Sequence, residues 1–295
     1  MRVLWGLVGR PRPPKPYVDL LLGRLPPPAP GKAELTAPPE FVGIGAQKSG
    51  TSWWFNLIAQ HPRVYANDAL RAAHFPSYLH KERHFFDAYC ARDFSRSDAR
   101  SYAEWFARPE GMIAGEWTPR YMVDHWVAPA LKAAAPDTRL LILLRDPVRR
   151  LESGLVHELR RKDVLNPADL QNHVMRSQYA LHLSWWFRYF DRDRILVLQY
   201  ERCIQNPAEQ LDRTFRFLGL EPVRVTPAVV SERVNAGEAG GAFSLSQARE
   251  ALLADLLRND VLELAQLCPE IDVSLWPSVG LGSTNSERVG FDPTA

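Results

Sequence analysis

The sequence predicts an α/β fold, a three-layer sandwich in which helices cover both faces of a central parallel sheet. Two observations lead to this prediction. Short apolar runs alternate along the chain with longer segments of helical periodicity, which is typical of βαβ units. The most apolar run, residues 139–144, has no polar face, as expected for a strand that is covered on both sides. A hydrophobic content of 46% over 295 residues is sufficient for one large core.

The first half of the domain contains two predicted strands and two predicted helices. Residues 41–45 are a short apolar run closed by glycine, which indicates a buried strand. Residues 46–52 are predicted to form a turn, and the helix that follows covers residues 51–60. The second strand is predicted at residues 112–116, and a helix over 126–135 ends before a proline, which disfavours continuation of a helix.

The second half repeats the alternation. After the strand at 139–144, a helix over 147–161 begins with proline, which is favoured at the first helical position. One long helix is predicted over residues 174–190, and the run at 194–198 indicates another buried strand. Apolar spacing, and in the second case a high content of Ala, Leu and Glu, predicts two further helices at residues 207–218 and 247–267.

The chain is predicted to divide into an N-terminal arm, residues 1–39, and a single domain, residues 40–295. The arm contains 10 of the 24 prolines, so we expect an extended lead-in that lies on the domain. A docking arm for a partner subunit is the alternative. Residues 234–241 are rich in glycine and are expected to be mobile.

Charge and cysteine content exclude several classes of protein. A net charge of +2 argues against a general nucleic-acid-binding protein. Three widely spaced cysteines without a C-x-x-C pair argue against a disulfide framework or a zinc site and favour a reducing compartment. We find no apolar run long enough for a transmembrane helix, and the apolar run within residues 1–8 is too short for the core of a signal peptide. Only 6 of the 36 basic residues are lysines, so each lysine position is informative.

A glycine-containing loop joins the first strand to the first helix. Such a loop, together with the positive end of the helix, can hold an anion through its backbone N–H groups. Gly45, Gly50 and Ser52 fit the P-loop pattern G-x-x-x-x-G-K-[ST], which predicts a P-loop-like variant of the sandwich. Thr51, however, occupies the lysine position, and the lysine lies three residues earlier, at Lys48. This displacement of the lysine argues against a kinase that uses Mg-ATP. Such a kinase would also need an aspartate to hold magnesium, and Asp146 is only a weak candidate.

Two motifs give the chain a specific resemblance. Residues 47–53, Q-K-S-G-T-S-W, resemble the 5′-phosphosulfate loop of sulfotransferases that use 3′-phosphoadenosine 5′-phosphosulfate (PAPS). Residues 145–153, R-D-P-V-R-R-L-E-S, resemble the 3′-phosphate motif of the same family and follow the most apolar strand. Arginine supplies a permanent charge and a fork of donors for a phosphate. The alternative for this motif is that Arg145 and Asp146 only cap the helix.

Further segments resemble the carbohydrate sulfotransferases of this family in the usual order. Residues 80–87 resemble their K-E-x-x-F-F segment, and residues 115–121 resemble their G-E-K-T-P-x-Y segment. The resemblance extends from about residue 41 to residue 220 and weakens towards residue 276. It implies transfer of a sulfuryl group from PAPS, which leaves 3′-phosphoadenosine 5′-phosphate (PAP), to an acceptor hydroxyl of a carbohydrate or small molecule.

The resemblance also implies the site residues. Lys48 would stabilise the leaving phosphate, and Glu82 would be the general base, with Phe85 and Phe86 raising its pKa. His84 is a rival base, and a surface carboxylate is the alternative for Glu82. The implied donor-binding residues are Lys48, Ser49, Gly50, Thr51, Ser52, Trp53, Arg145 and Ser153.

Several aromatic and histidine residues have two interpretations. Trp53 either stacks on the adenine or belongs to the core. Trp185, Trp186 and Phe190 are interpreted as core rather than as an acceptor platform. His80 and His84 could share one helical face as a metal pair, but no third ligand is evident, and no metal is predicted.

The sequence departs from the family pattern at two points. Trp117 replaces the usual lysine of G-E-K-T-P-x-Y, which puts an acidic glycan acceptor in doubt, and Arg120 is the candidate replacement. A second 3′-phosphate contact is not evident, and Arg233 is a weak candidate. We expect a cytoplasmic bacterial enzyme, with a homo-oligomer left open. The non-enzymatic alternative is a degenerate nucleotide-binding or scaffold protein. The presence of all four predicted site residues argues against this alternative: Lys48, Glu82, Arg145 and Ser153.

Overall fold

The strands and helices follow a βαβ order. A computed structural model describes residues 26–31, 34–65, 80–225 and 243–280. The strands are β1 Glu34–Leu35, β2 Phe41–Gly45, β3 Arg108–Pro109, β4 Gly115–Trp117, β5 Arg139–Leu144 and β6 Ile195–Gln199. The helices are α1 Thr51–Ile58, α2 Arg96–Glu104, α3 Val127–Ala134, α4 Pro147–Lys162, α5 Pro167–Met175, α6 Tyr179–Trp186, α7 Tyr200–Gln205, α8 Pro207–Phe217 and α9 Gln247–Leu267. Most of the proline-rich arm, the glycine-rich segment 234–241 and Arg233 lie outside the described residues.

Four parallel strands form the central sheet in the order β4-β2-β5-β6. The register places Val42 opposite Glu116 on one side and opposite Leu140 on the other. β2 and β5 are therefore the inner strands, and both end at the same edge of the sheet. In parallel sheets this carboxyl edge is where ligands bind. The predicted fold class is confirmed.

Alternate residues of each strand enter two separate cores, because successive side chains of a strand point to opposite faces. In β5, Leu140, Ile142 and Leu144 pack with helices α3, α6 and α9. Leu141 and Leu143 face the other way and pack with α1 and α8. Both faces of the sheet are thus covered by helices, which makes three layers.

A third, smaller core fixes α4 against α9. Val148, Leu151 and Leu155 of α4 pack with Leu253 and Leu257 of α9. An ion pair between Arg149 and Glu250 adds to this contact, with a distance of 2.6 Å between Nη1 and Oε1. The helix that begins directly after β5 is therefore held from the side by the C-terminal part of the chain.

The single helix predicted over residues 174–190 is wrong. α5 ends at Met175 and α6 begins at Tyr179. Ser177, between them, donates through Oγ to the carbonyl oxygen of Pro147 at 2.9 Å and accepts from Arg150 Nε at 2.8 Å. These contacts fix the chain in a turn at Ser177, whereas the apolar spacing on either side would suit a continuous helix.

Three helices, α2, α5 and α7, were not predicted, and two of them begin with a recognisable capping box. Ser95 and Asp98 exchange hydrogen bonds at the start of α2, and Asn166 and Asp169 do the same at the start of α5. The strand predicted at 112–116 is instead β4, which is displaced towards Trp117, and Ile113 forms only an isolated bridge with residue 64.

The segment just before the domain lies on its surface. β1 pairs antiparallel with β3, and Arg108 donates to the carbonyl oxygens of Ala37 and Pro38 and forms an ion pair with Glu40. Among the described residues, none of the helices combines the length and apolar character that crossing a membrane requires.

Candidate active site

A tight loop between β2 and α1 lies at the carboxyl edge of the sheet. Two of its residues have left-handed backbone conformations, Lys48 with φ 70° and Gly50 with φ 88°. Two features of Gly50 exclude a side chain. Its left-handed backbone is strained for other residues, and a Cβ would lie 2.7 Å from Cε2 of Tyr200. Helix α1 begins at the next residue, Thr51, so the N–H groups of its first turn lack intrahelical acceptors and can bind an anion.

The loop is surrounded by cations. Burial lowers the pKa of Lys48, and the charges of Arg160, Arg145 and Arg150 lower it further. Arg145 donates weakly from Nη1 to the carbonyl oxygen of Lys48 at 3.4 Å, and its guanidinium lies 5.0 Å from the ring centre of Tyr200. Like charges this close repel one another, and a bound anion would neutralise them.

The predicted 3′-phosphate motif begins at the end of β5 and continues into α4. Asp146 caps this helix by accepting from the N–H groups of Val148 and Arg149, and Ser278 also donates to it. Asp146 is only 2% exposed, and both of its oxygens are engaged, because Oδ1 accepts the two capping hydrogen bonds and Oδ2 accepts from the N–H of Ser278. Ser153 lies half-buried two turns along α4, and its contact with the donor stays a prediction.

The arginine in the middle of this motif is part of the scaffold. Arg150 is fully buried and donates from Nε to Ser177 and from Nη2 to the carbonyl oxygen of His173 at 2.5 Å. Burial lowers its pKa to about 10. The buried charge of Arg150 therefore acts on the loop from inside the protein. Its hydrogen bonds connect α4 to α5 and to the turn before α6.

The candidate base lies in an extended segment beside β4. Glu82 Oε1 accepts from the ammonium of Lys81 at 2.7 Å, and Oε2 lies 3.2 Å from Nε2 of His84. The other ring nitrogen of His84, Nδ1, lies 3.1 Å from Asp87. Lys81 also donates to the Thr51 hydroxyl at 3.2 Å, which joins this segment to the helix that follows the loop.

These neighbours decide the protonation states. Burial opposes ionisation of Glu82, but the charge of Lys81 and the hydrogen bond from His84 outweigh it and lower the pKa of Glu82 to about 2. Burial also opposes the charged form of His84, but its bonds to Asp87 and Glu82 raise its pKa to about 9. The expectation that Phe85 and Phe86 raise the pKa of Glu82 is wrong. The two rings pack on each other and on Tyr102 in an aromatic cluster.

Strand β4 and the turn after it hold this segment by its backbone. The buried carboxylate of Glu116 accepts from the N–H of Arg83, the Thr118 hydroxyl accepts from the N–H of His84, and the Tyr121 hydroxyl accepts from the N–H of Phe85. Burial raises the pKa of Glu116. The segment 115–121 therefore acts as a scaffold for Glu82, a role that its motif did not reveal.

A cleft of about 220 Å³ opens in front of Glu82. Its charged lining residues are Glu82, His84, Arg120, Glu158, Arg161 and Arg176. Arg176 also donates to Gln47 of the loop at 3.0 Å, so the cleft adjoins the loop directly. With His84 protonated, positive charges outnumber negative ones in this lining. Sequence reasoning missed Arg161 and Arg176 because both lie outside the segments that resemble the family motifs, Arg161 near the end of α4 and Arg176 directly after α5.

The tryptophans are mainly structural. Trp53 is 3% exposed and lies edge-on against Trp54 and Tyr200, so the core interpretation describes its packing and adenine could stack on it only after rearrangement. Trp117 is buried and donates to the carbonyl oxygen of Gly45 at 3.1 Å, which removes it from the cleft. Trp186 is likewise buried in the core.

The histidine pair gains no support as a metal site. His84 is engaged by two carboxylates, and the described residues contain no group of three or more His, Cys, Asp or Glu side chains placed to hold a metal ion.

Comparison with known proteins identifies a family. A family model described as "Sulfotransferase domain" matches residues 38–234. The chain is 30% identical over 198 residues to heparan sulfate glucosamine 3-O-sulfotransferase 6 of Homo sapiens, an alignment that covers 63% of this chain and 53% of that protein. It is 30% identical over 200 residues to heparan sulfate glucosamine 3-O-sulfotransferase 3A1 of Mus musculus, with 63% and 47% covered. The chain thus spans about half the length of the curated relatives it matches.

Solved structures support the fold. A sulfotransferase from Alicyclobacillus acidocaldarius aligns with a TM-score of 0.64 at 22% identity, over 82% of this chain and 99% of that chain. A sulfotransferase from Mycobacterium tuberculosis aligns with a TM-score of 0.51 at 13% identity, over 76% of each chain. At these identities the likeness concerns the fold alone.

Proposed function

The chain belongs to the sulfotransferase family, and we propose that it transfers a sulfuryl group from PAPS to a hydroxyl of an anionic carbohydrate. One observation carries the proposal. The hydrogen bonds of Lys81 to Thr51 and to Glu82 place a cationic anion-binding loop and an ionised carboxylate next to each other. A group-transfer enzyme needs these two functions side by side, one for the leaving group and one for the acceptor proton.

The donor would be held at the carboxyl edge of the sheet. The residues fit a nucleotide with several negative charges, because the cations around Lys48 repel one another and the N–H groups at the start of α1 lack intrahelical acceptors. Lys48 would contact the 5′-phosphosulfate, and Arg145 and Ser153 would contact the 3′-phosphate. PAPS supplies an activated sulfuryl group whose leaving group is a phosphate.

In the transfer step a bond forms between the acceptor oxygen and sulfur, and the bond between sulfur and the bridging phosphate oxygen breaks. The electron pair of the broken bond stays on the phosphate oxygen, where Lys48 stabilises the added charge. The acceptor proton moves to Glu82. By analogy with phosphoryl transfer the transition state is loose, so the acceptor needs little activation and a weak carboxylate base is sufficient.

The protonation states favour Glu82 over His84 as the base. Glu82, with a pKa of about 2, is ionised at neutral pH and can accept a proton. His84, with a pKa of about 9, is an imidazolium under the same conditions and has no free lone pair. His84 instead orients the carboxylate by its contact with Oε2.

The lining of the cleft supports an anionic acceptor. Trp117 leaves the site without the lysine that the family pattern contains, but Arg120, Arg161 and Arg176 supply three guanidinium groups. Guanidinium forks bind carboxylates and sulfates in two-pronged geometry. Two relatives at 30% identity are named for heparan sulfate glucosamine, which also favours a carbohydrate. The replacement of the family lysine by Trp117 was the reason to doubt an acidic acceptor, and the three arginines of the cleft weaken that reason.

The family match does not favour the kinase alternative, and the capping role of Asp146 removes its magnesium-binding candidate. Calorimetric titration with PAP, ADP and Mg-ATP distinguishes the two functions. We expect PAP alone to bind tightly, and Lys48→Ala to weaken its binding and abolish transfer of labelled sulfate from PAPS. Binding of Mg-ATP alone, or full transfer activity in Lys48→Ala, would overturn the proposal.

A further inference from the structure

The side chain of Lys81 contacts both the donor end and the acceptor end of the candidate site. Its ammonium lies 3.2 Å from the Thr51 hydroxyl and 2.7 Å from Glu82 Oε1. We propose that Lys81 is a positioning residue, which fixes the Glu82 carboxylate against the donor loop. This inference rests on the proposed function, because it assigns the geometry of the base to a residue outside the reacting groups.

The backbone of Lys81 is fixed independently of its side chain. Its carbonyl oxygen accepts from the N–H of Trp117 at 2.8 Å, so the segment runs beside β4 at the edge of the sheet. The side chain extends from there to α1 and is only 11% exposed. A buried ammonium of this kind is tolerated only when it is paired, and its partners are the hydroxyl and the carboxylate.

The carboxylate of Glu82 is held from two sides. Lys81 binds Oε1 on the side of the loop, and His84 binds Oε2 on the opposite side, where Asp87 holds the imidazole. Without the ammonium, only His84 would bind the carboxylate, and Glu82 would turn away from the donor. A displacement of about 1 Å at a reacting group can reduce the rate about 100-fold.

The charge of Lys81 also keeps the carboxylate ionised. Burial alone would raise the pKa of Glu82, and the ammonium is the largest influence that lowers it. Other charged groups from neighbouring elements surround Lys81 and Glu82, and all of them remain when Lys81 is replaced. These groups are His84, Asp87, Glu116, Arg120, Glu158, Arg161 and Arg176. Loss of the ammonium should therefore shift the titration of Glu82 to higher pH.

The test compares Lys81→Met with Lys81→Arg in transfer assays between pH 3.5 and 8. We expect Lys81→Met to lower kcat by about 10- to 100-fold, with a Kd for PAP within threefold of the wild-type value. The acid limb of kcat/KM should move upward into the range of an ordinary glutamate, about pH 4.3 or above. In Lys81→Arg, which keeps the positive charge, the acid limb of kcat/KM should lie close to its position in the wild-type protein.

Two further variants separate positioning from folding. Lys132→Met removes a lysine whose ammonium contacts the Pro136 carbonyl oxygen and the Phe190 ring, away from the candidate site, and it should leave the pH profile unchanged. If Lys81→Met unfolds, Lys81→Gln, which keeps a hydrogen-bond donor, should show the same shift of the limb. An unmoved acid limb, or an unchanged kcat, in a folded Lys81 variant would overturn the inference. Absence of transfer in the wild-type protein would instead overturn the proposed function.

Discussion

Replacement of Gly50 by alanine should destabilise the protein and weaken nucleotide binding together. Two effects add at this position. A residue other than glycine in the left-handed conformation, here φ 88°, costs about 1–2 kcal/mol. The new Cβ would also lie 2.7 Å from Cε2 of Tyr200, and such overpacking costs about 1–3 kcal/mol.

The expected total, about 2–5 kcal/mol, is a large fraction of the ordinary stability of a domain, which is about 5–15 kcal/mol. The Tyr200 ring must move to admit the methyl group, and this ring lies against the guanidinium of Arg145. The damage should therefore reach the donor-binding residues. We expect at least a tenfold weaker Kd for PAP in calorimetric titration.

Gly111 provides a matched control. It has a similar φ of 80°, but a Cβ there would meet nothing within 4 Å. In urea denaturation Gly111→Ala should show only the conformational cost, about 1–2 kcal/mol, with unchanged PAP affinity. In a Tyr200→Ala background the cost of Gly50→Ala should fall to the same level. Equal losses for the two glycine variants in the wild-type background would refute the argument from Tyr200.

The remaining predictions concern the candidate base, the cleft and the imidazolium. Glu82→Gln should lower kcat by at least about 100-fold while calorimetry shows unchanged PAP affinity, and a near-normal rate would exclude Glu82 as the base. The double variant Arg161→Ala and Arg176→Ala should raise the KM for an anionic acceptor about tenfold and reduce the salt dependence of that KM; an unchanged KM would place the acceptor elsewhere. For His84 the pKa of about 9 in the folded protein lies above the ordinary histidine pKa of 6.5, so the stabilisation by the imidazolium is complete below pH 6.5 and is lost as the pH rises through 9. Urea denaturation between pH 6 and 10 should show this loss in the wild-type protein and not in His84→Gln, and parallel curves would contradict it.

The central sheet could be predicted because its strands carry their own signal. The runs at 41–45 and 139–144 match β2 and β5 in both bounds, and α9 matches the predicted 247–267. These elements are specified by local apolar spacing. The break between α5 and α6 could not be predicted in this way, because it depends on contacts of Ser177 with residues 27 and 30 positions away.

The sequence predicted which residues form the candidate site, but it did not predict how these residues contact one another. The motifs identified Lys48, Glu82 and Arg145, and the structure places all three around one edge of the sheet. The contact between Lys81 and Thr51 depends on the pairing of β2 with β4, which brings segments 30 residues apart together. The pKa of Glu82 was predicted from the apolar rings of Phe85 and Phe86, whereas Lys81 and His84, which are closer in sequence, lower it because the structure brings their charges onto the two carboxylate oxygens.

Some predictions remain untested by the structure. The cytoplasmic location, the division of the chain at residue 40, the roles of Ser153 and Trp53 and the oligomeric state stay predictions.

The cap of α4 also sets an order of assembly during synthesis. Asp146 at the start of α4 accepts hydrogen bonds from Ser278, which lies 132 residues later in the chain. At about 5–20 residues per second, a ribosome needs about 7–26 s to make the intervening chain. All four strands of the central sheet are synthesised before Ser278, whereas the hydrogen bonds from Ser278 to Asp146 can form only afterwards. A nascent chain that stalls before Ser278 would carry every strand of the central sheet without these contacts at the start of α4.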